Sequence, residues 1–509
     1  MKSEAGYWAI CANCQGRGKK SKRLRKKVRL RYQKALEAFE KSDGMALGLA
    51  APVRPKAHLD NCTSCAGSGL VPSAIQAFSK TAIDQIYDAS YPHVAIIGGG
   101  IGGVALAVAC LHRGIPFTLY ERDSGFEARS QGYGLTLQQA SRAIAGLGIF
   151  SLSEGIISTR HLVHNTEGKV LGEWGIRKWL PTEAQGGPKR TNVHIARQLL
   201  RKALLEQLGG SDSVQWNHQL IDFKQSAEKC SRGKGVKLSF QVQAKNEETG
   251  EVQSETQTAY ADLVVGADGI RSSVRRLLIG EEATPLNYLG CIVILGICPL
   301  ADIHDEDGNT LESDLLDNAT VFQTANGNER IYMMPFTSDS IMWQLSFPIP
   351  QDEAKALSAL GPAALKQEAL KRCQWHQPIP QIIAATQAEQ VSGYPAYDRA
   401  LLETEQLQRG THVTLIGDAA HPMSPFKGQG ANQALLDALS LARGITRACR
   451  PQSNWRELGI RESVLTEYET EMLQRSSKKV KESAEAAEFL HSESVLHESD
   501  APRGRNFKK

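Results

Sequence analysis

The stretch that decides the fold is residues 93–122, which read HVAIIGGGIGGVALAVACLHRGIPFTLYER. Residues 93–97 are apolar and β-branched, which predicts a buried parallel strand, and residues 115–120 predict a second strand. A glycine-rich turn and an apolar helix over residues 104–112 stand between them. The turn matches the pattern G-x-G-x-x-G with Gly98, Gly100 and Gly103. This order of elements predicts a dinucleotide-binding unit.

Each glycine of this turn has a physical reason. The first allows a tight turn, the second lets the backbone approach a pyrophosphate, and the third lets the helix pack closely on the strand. The positive end of the helix dipole then faces the phosphates. Glu121 ends the second strand, where its carboxylate can bind a ribose diol and would repel a 2′-phosphate. FAD or NAD is therefore expected here and not NADP. The alternative is an ordinary glycine-rich turn.

Length and composition describe an ordinary folded chain with one unusual end. The chain has 509 residues, enough for two or three domains, with 41% apolar and 22% charged residues. It has no apolar run of the length that a membrane span needs, and its N-terminus lacks the apolar core of a signal peptide. Residues 1–80 hold 16 Lys and Arg against 5 Asp and Glu, whereas the remainder holds 43 against 50. A short basic module is thus attached to a mildly acidic body.

The basic module contains the pattern C-x-x-C-x-G-x-G twice, at residues 11–18 and 62–69. Each C-x-x-C turn can direct two thiolates at one ion, and the glycines after it free backbone N–H groups to bond the sulfurs. The metal ligands that we predict are Cys11, Cys14, Cys62 and Cys65. Four sulfurs form the closed tetrahedral set of a structural Zn²⁺ site, which leaves no open position for catalysis. The alternatives are a redox C-x-x-C pair or chance. The cysteine spacing favours the reducing cytoplasm over a secreted disulfide framework.

Between the two cysteine pairs lies a predicted amphipathic helix. Ten Lys and Arg residues fall within residues 19–34, and apolar residues from Leu24 to Phe39 share one helical face. The basic face either is solvated or makes weak contacts with a nucleic acid or another anionic surface. A further short helix is predicted over residues 73–89.

Three arginines and one strand-to-turn corner in the body supply further polar groups. Arg122 and Arg129 flank a glycine-rich loop, where guanidinium groups suit phosphate or flavin oxygens. Arg197 begins an amphipathic helix, a position that surface arginines commonly take. At residues 261–275 an apolar strand runs into a Gly-Asp-Gly turn, and Asp268 there either contacts a nucleotide or caps the following helix.

Residues 413–438 contain the segment that indicates a flavin. A buried strand ends in Gly417 and Asp418, a proline-rich loop follows, and a helix opens near Gly428. Asp418 can accept hydrogen bonds from a hydroxylated chain. The backbone N–H groups of Gly430, Ala431 and Asn432 lie at a helix N-terminus, which stabilises negative charge, and reduced flavin carries such a charge at N1 and O2.

Three motifs occur in the order that is typical of a known family. They are the glycine turn with Glu121, the Gly-Ala-Asp-Gly of residues 266–269, and the Gly-Asp-Ala-Ala-His of residues 417–421. In this the chain resembles the class A FAD-dependent monooxygenases, the p-hydroxybenzoate hydroxylase-like family. The runs ERDSGFEARSQGYGLTL and GDAAHPMSPFKGQGAN look most like its tetracycline-degrading and salicylate-hydroxylase-like branches. The likeness spans residues 93–450. The repeated cysteine motif resembles DnaJ-type chaperones, with fewer repeats and a longer spacer.

The resemblance implies roles for particular positions. Glu121 would hold the adenosine ribose, and the three glycines would surround the pyrophosphate. Arg197 and Asp418 would bind along the FAD chain, Arg122 and Arg129 would lie near the cofactor, and Asp268 would serve FAD and NAD(P)H. The positions that would line the isoalloxazine include Pro425, Gly428, Gly430, Ala431 and Asn432. Some relatives have an acid where Thr136 stands here, which leaves that FAD contact open. No protein nucleophile is required, so no catalytic residue is nominated.

The fold class expected is α/β, with a Rossmann-like FAD-binding domain interleaved with a mixed β-sheet substrate domain, a small N-terminal four-cysteine zinc module and a C-terminal helix. The FAD-binding domain should comprise residues 90–158, 188–283 and 402–450, and the substrate domain residues 159–187 and 284–401. The other segments are the zinc module at 1–80, a helical segment at 451–495 and a disordered tail at 496–509. Within 341–347, alternation should put Met342, Gln344 and Ser346 on one face and Trp343, Leu345 and Phe347 on the other.

The activity that the resemblance implies is hydroxylation of a bulky, aromatic or polycyclic small molecule. NAD(P)H would reduce the flavin, and a C4a-hydroperoxyflavin would deliver one oxygen atom of O₂. Because a single dinucleotide fingerprint is present, NAD(P)H should dock transiently and not occupy a domain of its own. Two alternatives remain: a flavin-dependent reductase or dehydrogenase on the same fold, and a nucleic-acid-associated zinc module that carries a flavin domain. The sequence leaves the oligomeric state open.

Overall fold

The computed structural model describes residues 7–22, 24–42, 52, 55, 59–73, 91–128, 132–138, 140, 143–176, 192–225, 235–245, 252–450 and 452–502. The chain divides into two compact units, Met1–Ala77 and Phe78–Lys509. The helix expected over residues 73–89 falls almost entirely outside the described residues. Within those residues, no helix combines the length and the hydropathy that a membrane span requires.

The first unit is built on the repeated cysteine motif. Its elements are β1 Tyr7–Ile10, β2 Lys19–Ser21, α1 Lys26–Lys41, β3 Leu59–Asn61 and β4 Leu70–Ser73. Each cysteine turn connects two short strands, and β1 pairs with β4 while β2 pairs with β3, both antiparallel. Each strand of one repeat therefore pairs with a strand of the other repeat. Helix α1 buries none of its residues, and Val28 and Leu30 on it are exposed.

The second unit contains eighteen strands and ten α-helices among the described residues. Its strands are β5 Val94–Ile97, β6 Phe117–Tyr120, β7 Gly134–Leu137, β8 Ile156–Ile157, β9 Arg160–His164, β10 Val170–Trp174, β11 Val193–Ala196, β12 Val214–Gln215, β13 His218–Gln225, β14 Val236–Lys245, β15 Val252–Ala261, β16 Leu263–Gly266, β17 Leu286–Pro299, β18 Thr320–Ala325, β19 Arg330–Thr337, β20 Ser340–Pro348, β21 Val391–Arg399 and β22 Val413–Leu415. Its helices are α2 Ile101–Leu111, α3 Arg197–Gln207, α4 Ser273–Ile279, α5 Gln351–Ala359, α6 Pro362–Arg372, α7 Ile379–Ala385, α8 Thr404–Leu407, α9 Gly430–Ala448, α10 Trp455–Leu458 and α11 Thr466–Leu490.

A five-stranded parallel sheet carries the nucleotide motifs. Its order is β12-β6-β5-β16-β22, and every neighbouring pair is parallel. All residues of β5, β16 and β22 are buried, as the unbroken apolar runs in these strands predict for a sheet covered on both faces. Parallel strands end at the same edge, so the turns after β5, β16 and β22 meet there. The expected α/β class with a Rossmann-like domain is confirmed.

A seven-stranded mixed sheet forms the second layer, in the order β10-β9-β18-β19-β20-β17-β21. Only the β9–β18 pair is parallel. The two sequence segments expected to share the substrate domain supply all seven strands. Trp343, Leu345 and Phe347 pack in a core with helices α5 to α7, while Met342 and Gln344 face a cavity on the other side. The predicted alternation along β20 is confirmed.

Two smaller three-stranded antiparallel sheets, β7-β11-β8 and β13-β14-β15, complete this unit. Helix α11, Thr466–Leu490, lies within the helical segment expected over residues 451–495. A disordered tail was expected from residue 496, and this expectation is corrected for the described residues, which end at 502. There the chain continues in contact with β10. Ser499 N–H donates to the Leu171 carbonyl at 2.9 Å, and Asp500 accepts from Glu173 N–H at 3.0 Å. The polar composition of this segment suggested disorder and gave no sign of these hydrogen bonds.

Candidate functional site

The glycine turn after β5 is shaped by close backbone packing at two positions and by open space at a third. Gly98 has φ +112°, and a Cβ on it would lie 2.5 Å from the Ala267 carbonyl oxygen. A Cβ on Gly103 would lie 1.8 Å from the Gly98 carbonyl oxygen. A Cβ on Gly100 would meet nothing within 4 Å. Gly98 and Gly103 are therefore required by the fold, whereas Gly100 leaves room in front of the N-terminus of α2.

Glu121 is buried at the end of β6 and holds the glycine turn. Its Oε2 accepts a hydrogen bond from Gly99 N–H at 2.6 Å, and its Oε1 accepts from Asp123 N–H at 3.1 Å. A carboxylate oxygen can accept more than one hydrogen bond, so a ligand hydroxyl can still bond to this side chain. Arg122 is exposed, with its Nε 3.9 Å from Asp123, and Arg129 lies outside the described residues.

Arg201 supports the same turn and was missed by the sequence analysis. The side chain is buried, and its Nε donates to the Gly99 carbonyl at 2.7 Å. Its guanidinium stacks over Phe126 at 5.0 Å and Trp216 at 5.5 Å from the ring centroids. Arg201 lies one helical turn after Arg197 on α3, so the two side chains are on the same face of the helix. This spacing was the signal in the sequence that could have pointed to Arg201. Because the contact joins residues about a hundred positions apart, the sequence alone could not assign it.

Asp268 uses its carboxylate to start a helix. Its oxygens accept hydrogen bonds from the Ser272 hydroxyl, from Ser273 N–H at 2.7 Å and from Val274 N–H at 3.2 Å. Burial raises the pKa of Asp268 above its ordinary value, although these bonds act in the opposite direction. The capping alternative accounts for these contacts, and the role of Asp268 toward a cofactor stays a prediction.

The turn after β22 presents a carboxylate to a cavity. Gly417 has φ +57°, and its N–H donates to Asp437 at 2.8 Å. The side chain of Asp418 is exposed to the cavity and makes no hydrogen bond or ion pair within the described residues. Desolvation by the surrounding protein raises its pKa, while His421 and Arg197 lower it. An unpaired carboxylate in such a place is suited to bind hydroxyl groups of a ligand.

A buried ionic network fixes this turn from behind. His421 Nε2 lies 2.7 Å from one oxygen of Asp437, and Arg475 on α11 lies 2.8 Å from the other. Arg475 also donates to Gln433 at 2.7 Å and pairs with Glu471 at 2.9 Å. Burial alone would raise the pKa of Asp437, but His421 and Arg475 hold it below its ordinary value. The network joins the Gly-Asp turn, α9 and the C-terminal helix.

The loop before α9 is held by a single amide. Asn432 is buried; its Oδ1 accepts from Gln138 N–H at 2.9 Å and Ala140 N–H at 3.1 Å. Its Nδ2 donates to the carbonyls of Thr136 at 2.9 Å and Gly428 at 2.8 Å. The Asn432 side chain is thus a clamp between β7 and the start of α9. The first N–H groups of α9, among them those of Gly430 and Ala431, have no partner inside the helix and remain for a ligand.

The two glycine-containing turns lie side by side. A Cβ on Gly102 would lie 3.4 Å from the Ala434 Cβ on α9 and 3.6 Å from Ile416 Cδ1. A Cβ on Gly430 would lie 3.4 Å from an oxygen of Asp418. Residues separated by more than three hundred positions therefore border one continuous region, which runs along the carboxyl edge of the parallel sheet.

A cavity of about 1770 Å³ extends from this region to the face of the mixed sheet. The cavity is bordered by Asp418, Tyr133 and the loop 422–431, and also by side chains of β18, β19 and β20. A hydrogen-bonded row lines one side. It links His161 to Ser158 at 3.2 Å, Ser158 to His194 at 2.7 Å, and His194 to Thr136 at 3.0 Å. Burial lowers the pKa of His194 to about 3, so this histidine is neutral at pH 7.

The four cysteines of the first unit come together. All four Sγ atoms are buried and lie within 4.8 Å of one another, with Cys11–Cys62 at 4.0 Å and Cys14–Cys65 at 3.7 Å. These distances are too long for disulfides and suit the edges of a tetrahedron with metal–sulfur bonds of about 2.3 Å. Gly18 and Gly69 donate their N–H groups to sulfurs at 3.2 Å, as the glycine pattern predicted.

Comparison with known proteins agrees with this geometry. A family model described as "FAD binding domain" matches residues 91–483. Aurachin C monooxygenase/isomerase of Stigmatella aurantiaca is 28% identical over 357 residues, which cover 69% of this chain and 80% of that protein. The chloroplastic zeaxanthin epoxidase of Solanum lycopersicum is 28% identical over 367 residues, covering 70% of this chain and only 48% of that protein. The structure of HpxO from Klebsiella pneumoniae, complexed with FAD and uric acid, has a TM-score of 0.59 at 20% identity and covers 79% of this chain and 89% of that one.

The fold and the site define an FAD-dependent oxidoreductase of the monooxygenase class. The chain belongs to the FAD-binding domain family, and the predicted resemblance to FAD-dependent monooxygenases is confirmed. The first unit lies outside the matched region, as expected for an added module.

Proposed function

We propose that this protein uses NAD(P)H and O₂ to hydroxylate a bulky, aromatic or polycyclic small molecule. The cavity of about 1770 Å³ carries the proposal, because it is bordered both by the Gly-Asp turn and by a face of the mixed sheet. Met334 and Met342 on that face provide an adaptable surface for a large ring system. The names of the two relatives refer to aurachin C and to zeaxanthin.

The residues of the site fit FAD at each of its parts. Gly98, Gly100 and Gly103 with the N-terminus of α2 would hold the pyrophosphate, and Glu121 would hold the ribose. Asp418 and Arg197 would bind the hydroxylated chain. The isoalloxazine would lie against the segment formed by Pro425, Gly428, Gly430, Ala431 and Asn432. There the free N–H groups at the start of α9 would stabilise negative charge on the ring. Bound FAD would accept hydride from NAD(P)H and, once reduced, activate O₂.

The neighbouring residues would prepare the cavity for this chemistry. The buried network behind Gly417 keeps the turn in one position, and the walls of the cavity would exclude water from the reacting atoms. We assign no proton transfer to a particular side chain. Arg122, Arg129 and Asp268 are proposed to lie near the nucleotide, as the resemblance implied.

The test is NAD(P)H oxidation by the FAD-loaded protein against a panel of polycyclic and aromatic compounds, followed by mass spectrometry. The proposal expects at least one compound to gain one oxygen atom, with consumption of O₂ matched to NAD(P)H. An Asp418→Ala variant should lose this activity together with its flavin. If NAD(P)H is oxidised with an organic acceptor and no O₂ is incorporated into product, the protein is a reductase or dehydrogenase and the hydroxylase proposal fails.

For the first unit we propose a structural Zn²⁺ held by Cys11, Cys14, Cys62 and Cys65, in the reducing cytoplasm. The geometry of the four sulfurs and the two N–H···S bonds supports it. We further propose that the basic segment 19–34 makes weak contacts with a nucleic acid or another anionic surface. A gel-shift titration with single-stranded RNA should show binding that weakens with salt and is lost when Lys26, Lys27 and Arg29 are replaced by glutamine. Equal binding by that variant would contradict the proposal.

A further inference from the structure

Helix α1 of the first unit has an apolar stripe along one side that its own unit does not bury. The stripe consists of Val28, Tyr32, Ala35, Leu36 and Phe39. At 3.6 residues per turn these positions fall within about 100° of arc around the helix. No residue of α1 is buried, and Val28 is 38% exposed. The apolar stripe is therefore incompletely covered and can accept a partner.

The remaining surface of α1 is strongly basic. The helix carries six Lys and Arg residues against two Glu, and both acids lie in its second half. Arg29 and Arg31 fall on either side of the apolar stripe. The described residues provide no ion-pair partner for the six cations, whereas Lys22, which precedes the helix, pairs with Asp60 at 2.6 Å. Positive charge thus surrounds an exposed apolar surface on the same helix.

The first turn of α1 carries charges that oppose the helix dipole. Lys26 and Lys27 stand in this turn after Arg25, and the turn has neither an acidic residue nor a side-chain cap. The positive end of the dipole favours acids at this place and disfavours cations. In water this arrangement lowers the stability of the helix. An anionic surface beside the first turn would interact favourably with both the dipole and the cations.

We propose that α1 lies in the interface of an anionic lipid membrane, with the apolar stripe toward the acyl chains and the basic side chains among the headgroups. This inference rests on the proposed contact of the basic segment 19–34 with an anionic surface, and it names that surface. An interfacial helix requires an apolar stripe together with cations, whereas contact with nucleic-acid phosphates requires the cations alone. With 16 residues and a charged face, α1 is suited to lie on a membrane and not to span it.

Such docking would serve the proposed substrate class. Apolar ring compounds move from water into a bilayer for the same reason that apolar side chains are buried on folding. A protein held at the membrane surface therefore meets these compounds at a higher local concentration than it meets in water.

The test measures sedimentation of the full-length, FAD-loaded protein with phospholipid vesicles. One set of vesicles contains phosphatidylcholine alone, and the other contains phosphatidylcholine with about one third phosphatidylserine. Wild type should bind the anionic vesicles about tenfold or more tightly than the neutral ones, and added salt should weaken this binding. Replacing Lys26 and Lys27 together by glutamine should weaken it about tenfold, because each cation near such a surface contributes about fivefold.

A matched pair of variants distinguishes a membrane from a nucleic acid. Val28 lies in the apolar stripe and Leu30 lies on the opposite side of α1, and both side chains are exposed. Val28→Ser should weaken binding to the anionic vesicles about threefold or more, whereas Leu30→Ser should leave it unchanged. Binding of single-stranded RNA should be the same in both variants and wild type, because phosphate contacts do not involve the stripe.

Failure here and failure of the proposed contact give different results. Equal binding of wild type to the two vesicle sets, or equal losses in Val28→Ser and Leu30→Ser, would overturn the membrane proposal. If the protein binds RNA through Lys26 and Lys27 but does not bind anionic vesicles, the anionic contact stands and the membrane is wrong. If it binds neither, both are wrong, while oxygen incorporation into a water-soluble ring compound still tests the hydroxylase function separately.

Discussion

Replacing Gly100 by alanine should remove bound FAD from a folded protein, whereas the same replacement at Gly103 should damage the fold itself. The two glycines are three residues apart in one turn, so the pair controls for local sequence. A Cβ on Gly103 would lie 1.8 Å from the Gly98 carbonyl oxygen, which is backbone and cannot rotate away. Relief requires α2 to move from β5, at a cost of at least about 1–3 kcal/mol for an overpacked core.

At Gly100 the protein offers no obstacle to a methyl group. A Cβ there meets nothing within 4 Å, and the backbone angles, φ −73° and ψ −177°, are ones that alanine adopts freely. The free energy of unfolding of the apoprotein should therefore change by less than about 1 kcal/mol. The methyl group would occupy the space proposed for the pyrophosphate. Overpacking of about 1.4–2.8 kcal/mol against the cofactor corresponds to FAD binding weakened about 10- to 100-fold.

The assay has two independent readouts. Absorbance of the oxidised flavin per mole of purified protein, and titration of the apoprotein with FAD, report the affinity. Thermal unfolding of the apoprotein reports the stability. Gly100→Ala should lower only the first, and Gly103→Ala should lower both. The reasoning is refuted if Gly100→Ala binds FAD as wild type does, or if Gly103→Ala unfolds at the wild-type temperature.

Four further outcomes are expected. Asp418→Ala should weaken FAD binding about 10- to 100-fold, measured as flavin per protein, because it removes a charged hydrogen-bond acceptor; a flavin-replete variant would contradict this role. Cys62→Ser should release one zinc per chain in elemental analysis, while Cys449→Ser, which alters a buried cysteine outside the cluster, should keep it. Arg475→Met should destabilise the protein by roughly 3 kcal/mol in thermal unfolding, because it breaks a buried ion pair and leaves Asp437 with only His421 and the Gly417 N–H as partners among the described residues; an unchanged melting temperature would show that this pair is dispensable. Burial lowers the pKa of His112 from 6.5 to about 4, so the unfolded chain binds the proton more readily than the folded chain does. The free energy of unfolding should therefore fall as the pH drops through this range. His112→Gln should make that fall smaller when unfolding is measured between neutral pH and a pH of about 4.

The local motifs of the site could be predicted because their requirements are local. Gly98 needs a positive φ, the strands before the turns need apolar runs, and the cysteine turns need glycines behind the sulfurs. Each of these is decided within about ten residues, so the sequence displays it directly. The alternation along β20 is equally local and was predicted correctly, whereas the face that borders the cavity was not predicted.

Contacts between distant segments could not be predicted in the same way. Arg201 supports Gly99 across about a hundred residues, Asn432 clamps β7 across nearly three hundred, and Arg475 reaches Asp437 from another helix. Each of these side chains is a common residue in a helix, and nothing nearby marks it. Asp268 shows the converse case, since its position in a family motif suggested a ligand contact while its oxygens bond to the next helix.

The positions of unpaired polar atoms are informative about the ligand, because proteins give nearly all buried polar groups a hydrogen-bond partner of their own. Around this cavity the protein does so at most positions: Glu121, Asn432 and Asp437 each accept or donate at least two hydrogen bonds. The charged groups left over among the described residues that border the space include the carboxylate of Asp418. A hydroxylated chain fits this carboxylate, whereas an anionic group of a ligand would meet like charge there. The hydroxylated chain of the flavin is therefore expected to lie nearest Asp418, which leaves the face of the mixed sheet for the substrate.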